Sequence, residues 1–154
     1  MTRSLTSTSV IERVLILRQV PLFADLGPTD LERIARVAEE QGYADGETIA
    51  PEGEFGDDLH VVTEGVIRVV EDLGGTAERE IARRAAGEVV GEISLITQSP
   101  RVASLVADGA VRTIRIGHRE FESMVRERPD LALGVMRVLA LRLAESTRAS
   151  ELGP

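Results

Sequence analysis

Between Val90 and Ser104 the chain reads VGEISLITQSPRVAS, and two side chains of opposite charge stand nine positions apart in it, Glu92 and Arg101. Gly91 permits an unusual backbone angle or a close ligand approach just before Glu92. Ile93-Ser94-Leu95-Ile96 can form the first turn of a helix, whose free N–H groups favour an anion. Arg101 offers a planar fork suited to a phosphate. Its small neighbours Val102-Ala103-Ser104 let backbone N–H groups reach the same oxygens. One short segment thus holds an acceptor for a sugar hydroxyl, a helix start and a guanidinium. Two plainer readings stay open at this point: Glu92 as an ordinary acidic helix start, and Glu92–Arg101 as a structural ion pair.

The elements around this segment must hold it in place, and the hydrophobic period changes twice along the chain. Val10 to Arg18 has helical spacing, with Ser9 as N-cap, and Pro21-Leu22-Phe23 ends it. Thr29 to Glu40 reads as a second helix with Leu31, Ile34, Ala35 and Ala38 on one face and Pro28 near its start. From Gly42 to Gly117 the period is near two, with glycines at turns. Strands are expected near Thr48-Pro51, Asp58-Thr63, Val66-Glu71, Glu80-Arg84, Val102-Asp108 and Val111-Ile116, with a hairpin loop over Asp72-Thr76. Helical spacing returns from His118 to Arg126 and again from Pro129 to about Ser150. In the last helix Leu131, Val135, Val138, Leu139, Arg142 and Ser146 follow one another in i+3/i+4 steps. The expected fold is α+β but mainly β: an antiparallel roll of the jelly-roll or double-stranded β-helix kind, flanked by N-terminal helices and a long C-terminal helix. The expected layout is a loose N-terminus over 1–9, one domain over 10–150 and a tail over 151–154. Within the domain, helices occupy 10–40, the roll 42–117 with the chemical segment at 90–104, and helices 118–150.

Composition narrows the function. A 154-residue chain with 43% hydrophobic residues suits one domain with a real core. There is no cysteine, which excludes disulfides and thiolate chemistry. No apolar run approaches the ~18 residues of a membrane span, and Met1 to Ser9 lacks a signal-peptide core, so the cytoplasm is the expected setting. A net charge of −8 speaks against a broad nucleic-acid surface. The basic residues are all Arg, a bias that fits a GC-rich coding sequence better than a functional choice.

The 90–104 segment resembles the phosphate-binding cassette of cyclic-nucleotide-binding domains: Gly91-Glu92-Ile93-Ser94-Leu95, a spacer, then Pro100-Arg101-Val102-Ala103-Ser104. Upstream, Gly46-Glu47, the run from Glu52 to Asp57 and Glu64-Gly65-Val66-Ile67-Arg68-Val69 resemble that family's glycine signature, and Val20-Pro21-Leu22-Phe23 its N-terminal helices. The resemblance spans about residues 10–150. It implies a sensor that binds a cyclic nucleotide without hydrolysing it. Glu92 would accept from the ribose 2′-hydroxyl and Arg101 would pair with the cyclic phosphate, with backbone N–H groups of Ile93, Ser94 and Ala103 completing the cradle. Relatives selective for cGMP often carry Thr after the arginine. Val102 stands there, which favours cAMP with cGMP as the alternative, although Val102 also suits a plain strand position. Val69 and Ile81 align with residues that line the base pocket, and core packing is the competing reading. Ser146-Thr147 align with a hydroxyl pair that contacts adenine in catabolite-activator-type proteins, with Arg142 near base or phosphate, and a solvated helix end is the competing reading. If that alignment holds, one hydroxyl comes from a partner chain, which implies a homodimer through the C-terminal helix.

Two positions depart from the resemblance. His60 stands where the family often has an aromatic residue, and it reads as a half-buried histidine rather than a ligand. His118 opens a helix where Asp or Ser is a better cap. An enzyme is not expected, since the sequence offers neither a Ser-His-Asp set nor a thiol nucleophile. A metal-dependent β-roll enzyme would need clustered His and carboxylates, and the two histidines lie 58 positions apart. A DNA-binding helix-turn-helix would follow the long helix, and the sequence to Pro154 leaves no room for one. The expectation is therefore a free-standing sensor or the regulatory domain of a larger effector, such as a channel, transporter, kinase or cyclase. A ligand-free structural domain of the same fold, serving as a regulatory or interaction module, is the alternative that Glu92 and Arg101 argue against.

Overall fold

The computed structural model describes residues 8–152, apart from the side chains of 93–95 and of 149 onward. Helix α1 (Val10–Arg18) starts at Ser9, whose hydroxyl accepts from the Glu12 N–H at 3.1 Å. A single 3-10 turn follows at Pro21–Phe23. Helix α2 (Pro28–Val37) has proline in its first turn, where a missing N–H costs nothing. Six strands come next, β1 (Glu39–Tyr43), β2 (Thr48–Ala50), β3 (Asp58–Glu71), β4 (Arg79–Ala85), β5 (Val89–Val90) and β6 (Ser104–Gly117), with the short helix α3 (Glu92–Thr97) between the last two. Helices α4 (His118–Glu127) and α5 (Pro129–Leu152) close the described chain.

The strands form one antiparallel roll in the order β1-β6-β3-β4, with β2 on β6 and β5 on β3. The expected fold class holds, mainly β with flanking helices. Beneath the helices one core packs Leu17, Leu22, Phe23, Leu31 and Leu131 against Leu59, Ile114 and Ile116 of the sheet. A second core fills the roll with Val62, Ile67, Val90, Leu105 and Val111.

The second helix is shorter than expected. It ends at Val37, and Ala38 is extended, at ψ 145°. The Ala38 carbonyl accepts from Arg13 of α1 at 2.7 Å, and Glu39 to Tyr43 then pair with Arg115 to Val111. Glu39, Glu40 and Gln41 favour helix locally, but a ladder to β6 overrides that preference. The roll therefore begins at Glu39 and the helical region ends before residue 40. Likewise, the two expected pairs of strands around Glu64-Gly65 and Gly109 are each one continuous strand. Pairing along β3–β6 passes through irregularities at Val62/Glu64 and Glu64/Val66. Val102 lies in a bend outside the strands, because β6 begins only at Ser104. The predicted hairpin connects β3 to β4, with Gly75 N–H donating to Asp72 at 2.9 Å. Helix α5 runs to Leu152, and the N-terminal residues 1–7 and the last two lie outside the described residues.

Gly65 makes the irregularity in β3 possible. Its φ is +84°, and a Cβ there would overlap the carbonyl oxygen of Ala110 on β6. Gly65→Ala should destabilise the domain by about 2–4 kcal/mol, from backbone strain plus overpacking. Urea unfolding of the two proteins measures this directly.

Candidate functional site

Strand β5 pairs with β3, placing Val90 opposite His60. The chain must then turn sharply into α3, and Gly91 does so at φ +89°. A Cβ at Gly91 would lie 2.9 Å from the Asp58 carbonyl oxygen and 3.0 Å from Nη1 of Arg101. Glycine is thus what lets the guanidinium lie against this turn. The far end of the segment is pinned by backbone. Arg101 N–H donates to the Glu54 carbonyl at 2.7 Å, and the Arg101 carbonyl accepts from Gly53 N–H at 2.9 Å. The Ser104 hydroxyl accepts from Glu52 N–H at 3.0 Å. The glycine-bearing run 52–57 therefore fixes where Arg101 leaves the main chain.

Glu92 and Arg101 are both buried, at 2% and 7% exposure. Burying an ionised group demands a partner, and each has one, though not the other. Arg142 of α5 donates to the Glu92 carboxylate and to the Val89 carbonyl. Nη2 of Arg101 donates to Oδ1 of Asp58 at 2.9 Å. The direct Glu92–Arg101 pair that spacing left open is thus not formed, because each charge is met by a residue of a different element, Arg142 of α5 and Asp58 of β3. Among the described residues, Nε and Nη1 of Arg101 have no hydrogen-bond partner. Asp58 also lies 3.4 Å from Nε2 of His60 and 3.5 Å from Nη1 of Arg115. Burial pushes the Asp58 carboxyl up. The His60 hydrogen bond and charge, with Arg101 and Arg115, outweigh it and hold the group below the ordinary 3.8.

Gly91, Glu92, Arg101, Val102 and Ala103 line one cavity of about 1130 Å³ together with Val69, Ile81, Arg142 and Ser146. Its wall carries Arg79, Arg83, Arg84, Arg101 and Arg142 against Glu80, Glu88, Glu92 and Glu145, a local balance of +1 in a chain of −8. The wall is thus less acidic than the molecule as a whole, which suits an anion. Ile93 and Ser94 occupy the first turn of α3. Thr147 is exposed and outside the cavity wall. Ile81 and Val102 are 43% and 58% exposed, so neither is simply core.

Sequence reasoning missed Asp58, which lies 43 positions from the arginine it holds. It also missed Arg84, which reaches Glu145 of α5 at 3.5 Å. Only the β3–β5 register brings Asp58 under Gly91, and no local motif announces it. His60 was noticed, but its closeness to the Arg101 counter-ion was not.

Fold and site together define a β-roll domain with an arginine-rich cavity beside its C-terminal helix. The model of the cyclic nucleotide-binding domain matches residues 40–128, more than half of the chain, and the chain belongs to that family. It is 27% identical over 115 residues, 75% of its length, to a cAMP-dependent protein kinase regulatory subunit from Blastocladiella emersonii, of which it spans 28%. The crystal structure of the catabolite activator protein of Thermus thermophilus superposes with a TM-score of 0.74 at 30% identity, covering 86% of this chain and 62% of that one. The regulatory subunit of a cAMP-independent protein kinase A from Trypanosoma brucei superposes with a TM-score of 0.71 at 25% identity, covering 86% and 48%. The chain thus spans less than two thirds of each of these proteins. Among the described residues no helix is long and apolar enough to cross a membrane.

The depressed Asp58 carboxyl has a consequence for acid stability. Folded Asp58 binds a proton less readily than the unfolded chain does, so its contribution is complete above the ordinary value of 3.8 and is lost as pH falls below it. Asp58→Asn should therefore flatten the decline of the urea midpoint on acidification through that window. An unchanged slope would show that Asp58 is not held by its three cations.

Proposed function

We propose that this domain binds cAMP as a regulatory sensor and passes occupancy to α5. The observation that carries this reading is the single cavity in which buried Glu92 and Arg101 face each other's surroundings without pairing. In the bound state Glu92 accepts from the ribose 2′-hydroxyl. Nε and Nη1 of Arg101 reach the cyclic phosphate, and the backbone N–H groups of Ile93, Ser94 and Ala103 complete the cradle. Val69 and Ile81 cover one face of the base. Val102 brings no hydroxyl, and Ser146 lies on the α5 side of the same cavity, so adenine is preferred over guanine. The ligand is held and released unchanged.

Arg142 supplies the coupling. It sits on α5 and donates to Glu92, the acceptor the ribose needs, so helix position and ligand occupancy draw on one carboxylate. Binding shifts α5 between an arrangement set by Arg142 alone and one shared with the nucleotide. The effector that reads this movement is a further domain or a separate protein.

The outer face of α5 supports self-association. Leu133, Met136 and Leu143 are exposed, and with Ala140 they follow the 3-4-3 spacing of a coiled-coil seam. Thr147 comes next in that spacing, which suits a hydroxyl offered to a partner's base, whereas Ser146 faces its own cavity. The occupant of this face is a second copy of the chain. Met136→Glu should convert a dimer to a monomer in sedimentation equilibrium while leaving the circular dichroism of the fold intact, and a wild-type monomer with and without cAMP would refute it.

Calorimetry with cAMP and cGMP tests the ligand itself. Arg101→Ala should weaken cAMP binding by about 2–4 kcal/mol, since it removes a charge-assisted contact and strands the phosphate and Asp58. Equal affinity in the variant rejects the role of Arg101. Preference for cGMP rejects the reading of Val102, and binding of neither nucleotide rejects the sensor function.

A further inference from the structure

The phosphate-facing arginine is supported by a histidine that the sequence marks as unusual. His60 is 2% exposed and stands on β3 between β5 and β6, opposite Val90 and Arg115. On its own strand Nε2 faces Oδ1 of Asp58 at 3.4 Å, the same oxygen that accepts from Arg101 at 2.9 Å. From β6, Thr113 Oγ1 lies 3.0 Å from Nδ1, and Arg115 stands opposite in register with its Nη1 3.5 Å from Asp58. From β1, the Tyr43 ring meets the imidazole edge-on at 6.3 Å. Arg115 is itself matched by Glu39 at 2.5 Å. Burial and the Asp58 charge push the Tyr43 phenol up, so it stays neutral near pH 7.

Resting on the cyclic-nucleotide reading above, we infer that His60 is a positioning residue for Arg101, acting through Asp58, and that its protonation tightens the grip on the ligand phosphate. The argument is electrostatic. Asp58 is the counter-ion that partly neutralises Arg101. A protonated imidazole claims part of that carboxylate and adds positive charge beneath the site, so Arg101 presents more of its charge to an anion. The cyclic phosphodiester keeps one negative charge throughout this range, so the ligand contributes no titration of its own. Histidine ordinarily changes charge between about pH 5 and pH 8, which no other side chain in this cluster does. Linkage requires the reverse effect as well: a bound anion favours the protonated ring. The charged groups around the ring are Asp58, Arg101 and Arg115.

The test is cAMP calorimetry on the full chain at about pH 6 and about pH 8. Wild type should bind roughly three- to fivefold tighter at the lower pH, the size expected for one partly screened charge. His118→Gln should keep that ratio, because His118 pairs with Glu122 on α4. His60→Phe should lose it, and His60→Gln serves if the ring replacement does not fold. A ratio near one in wild type, or one retained without His60, overturns the inference. If wild type binds no cAMP at either pH, the ligand assignment fails, and the His60 coupling is then decided by NMR titration of the ring. Its midpoint should rise in Arg101→Gln relative to wild type, and an identical midpoint overturns the inference independently of any ligand.

Discussion

A buried guanidinium sets the terms for the rest of this domain. Arg101 is almost wholly removed from water, and a charge in that position must be met by the protein or by a ligand. The fold meets half of it. Asp58 takes Nη2 from below, the backbone of Gly53 and Glu54 fixes the main chain beside it, and Gly91 leaves space where any side chain would collide. What these contacts leave is a buried cation whose Nε and Nη1 have no hydrogen-bond partner among the described residues. On the proposed reading an anion entering the cavity would find the donor already desolvated, so little of its binding energy would be spent on ordering the site.

The roll is the device that brings these groups together. Asp58 and Arg101 are far apart in sequence, as are Glu92 and Arg142 at 50 positions. Antiparallel pairing of β5 on β3 sets Gly91 over Asp58, and pairing of β3 on β6 sets His60 beside Thr113 and Arg115. Each contact is polar and each strand register is fixed by the alternating apolar side chains of the two cores, since a slip of one residue would exchange Leu59 and Val61 of the helix-side core with the buried His60 and Val62 on the roll side. The stability of the sheet and the geometry of the site are therefore the same constraint.

Much of this was legible in the residues. The 90–104 segment announced its chemistry through Gly91, Glu92 and Arg101, and changes of hydrophobic period divided helices from roll. What escaped was non-local. Glu39-Glu40-Gln41 favours helix on local grounds, and only the partner strand makes it β1. Asp58 looked like one more acid in an acidic stretch, because its role depends on a strand register that no short motif encodes. The Glu92–Arg101 pair seemed natural from spacing, yet the structure neutralises each charge with a residue from a different element. Spacing shows which groups share a neighbourhood, while burial and topology decide who is paired with whom.

The division of partners also shapes how a bound ligand could be felt at a distance. Had Glu92 and Arg101 neutralised each other, a nucleotide would compete with a purely local pair, and its arrival would disturb little beyond the cassette. Instead Glu92 is matched by Arg142 from α5, and Arg101 by Asp58 from the sheet. In the proposed bound state a ribose hydroxyl donating to Glu92 would act on the helix contact, and a phosphate on Arg101 would act on the sheet contact. The two halves of one small molecule thus address two structural layers. Arg84, reaching Glu145 one turn nearer the end of α5 than Arg142, ties the helix to β4 as well. Leu131 and Val135 anchor the first half of α5 in the core, so on the proposed reading a difference in carboxylate sharing would act on the far half, where these charged contacts lie.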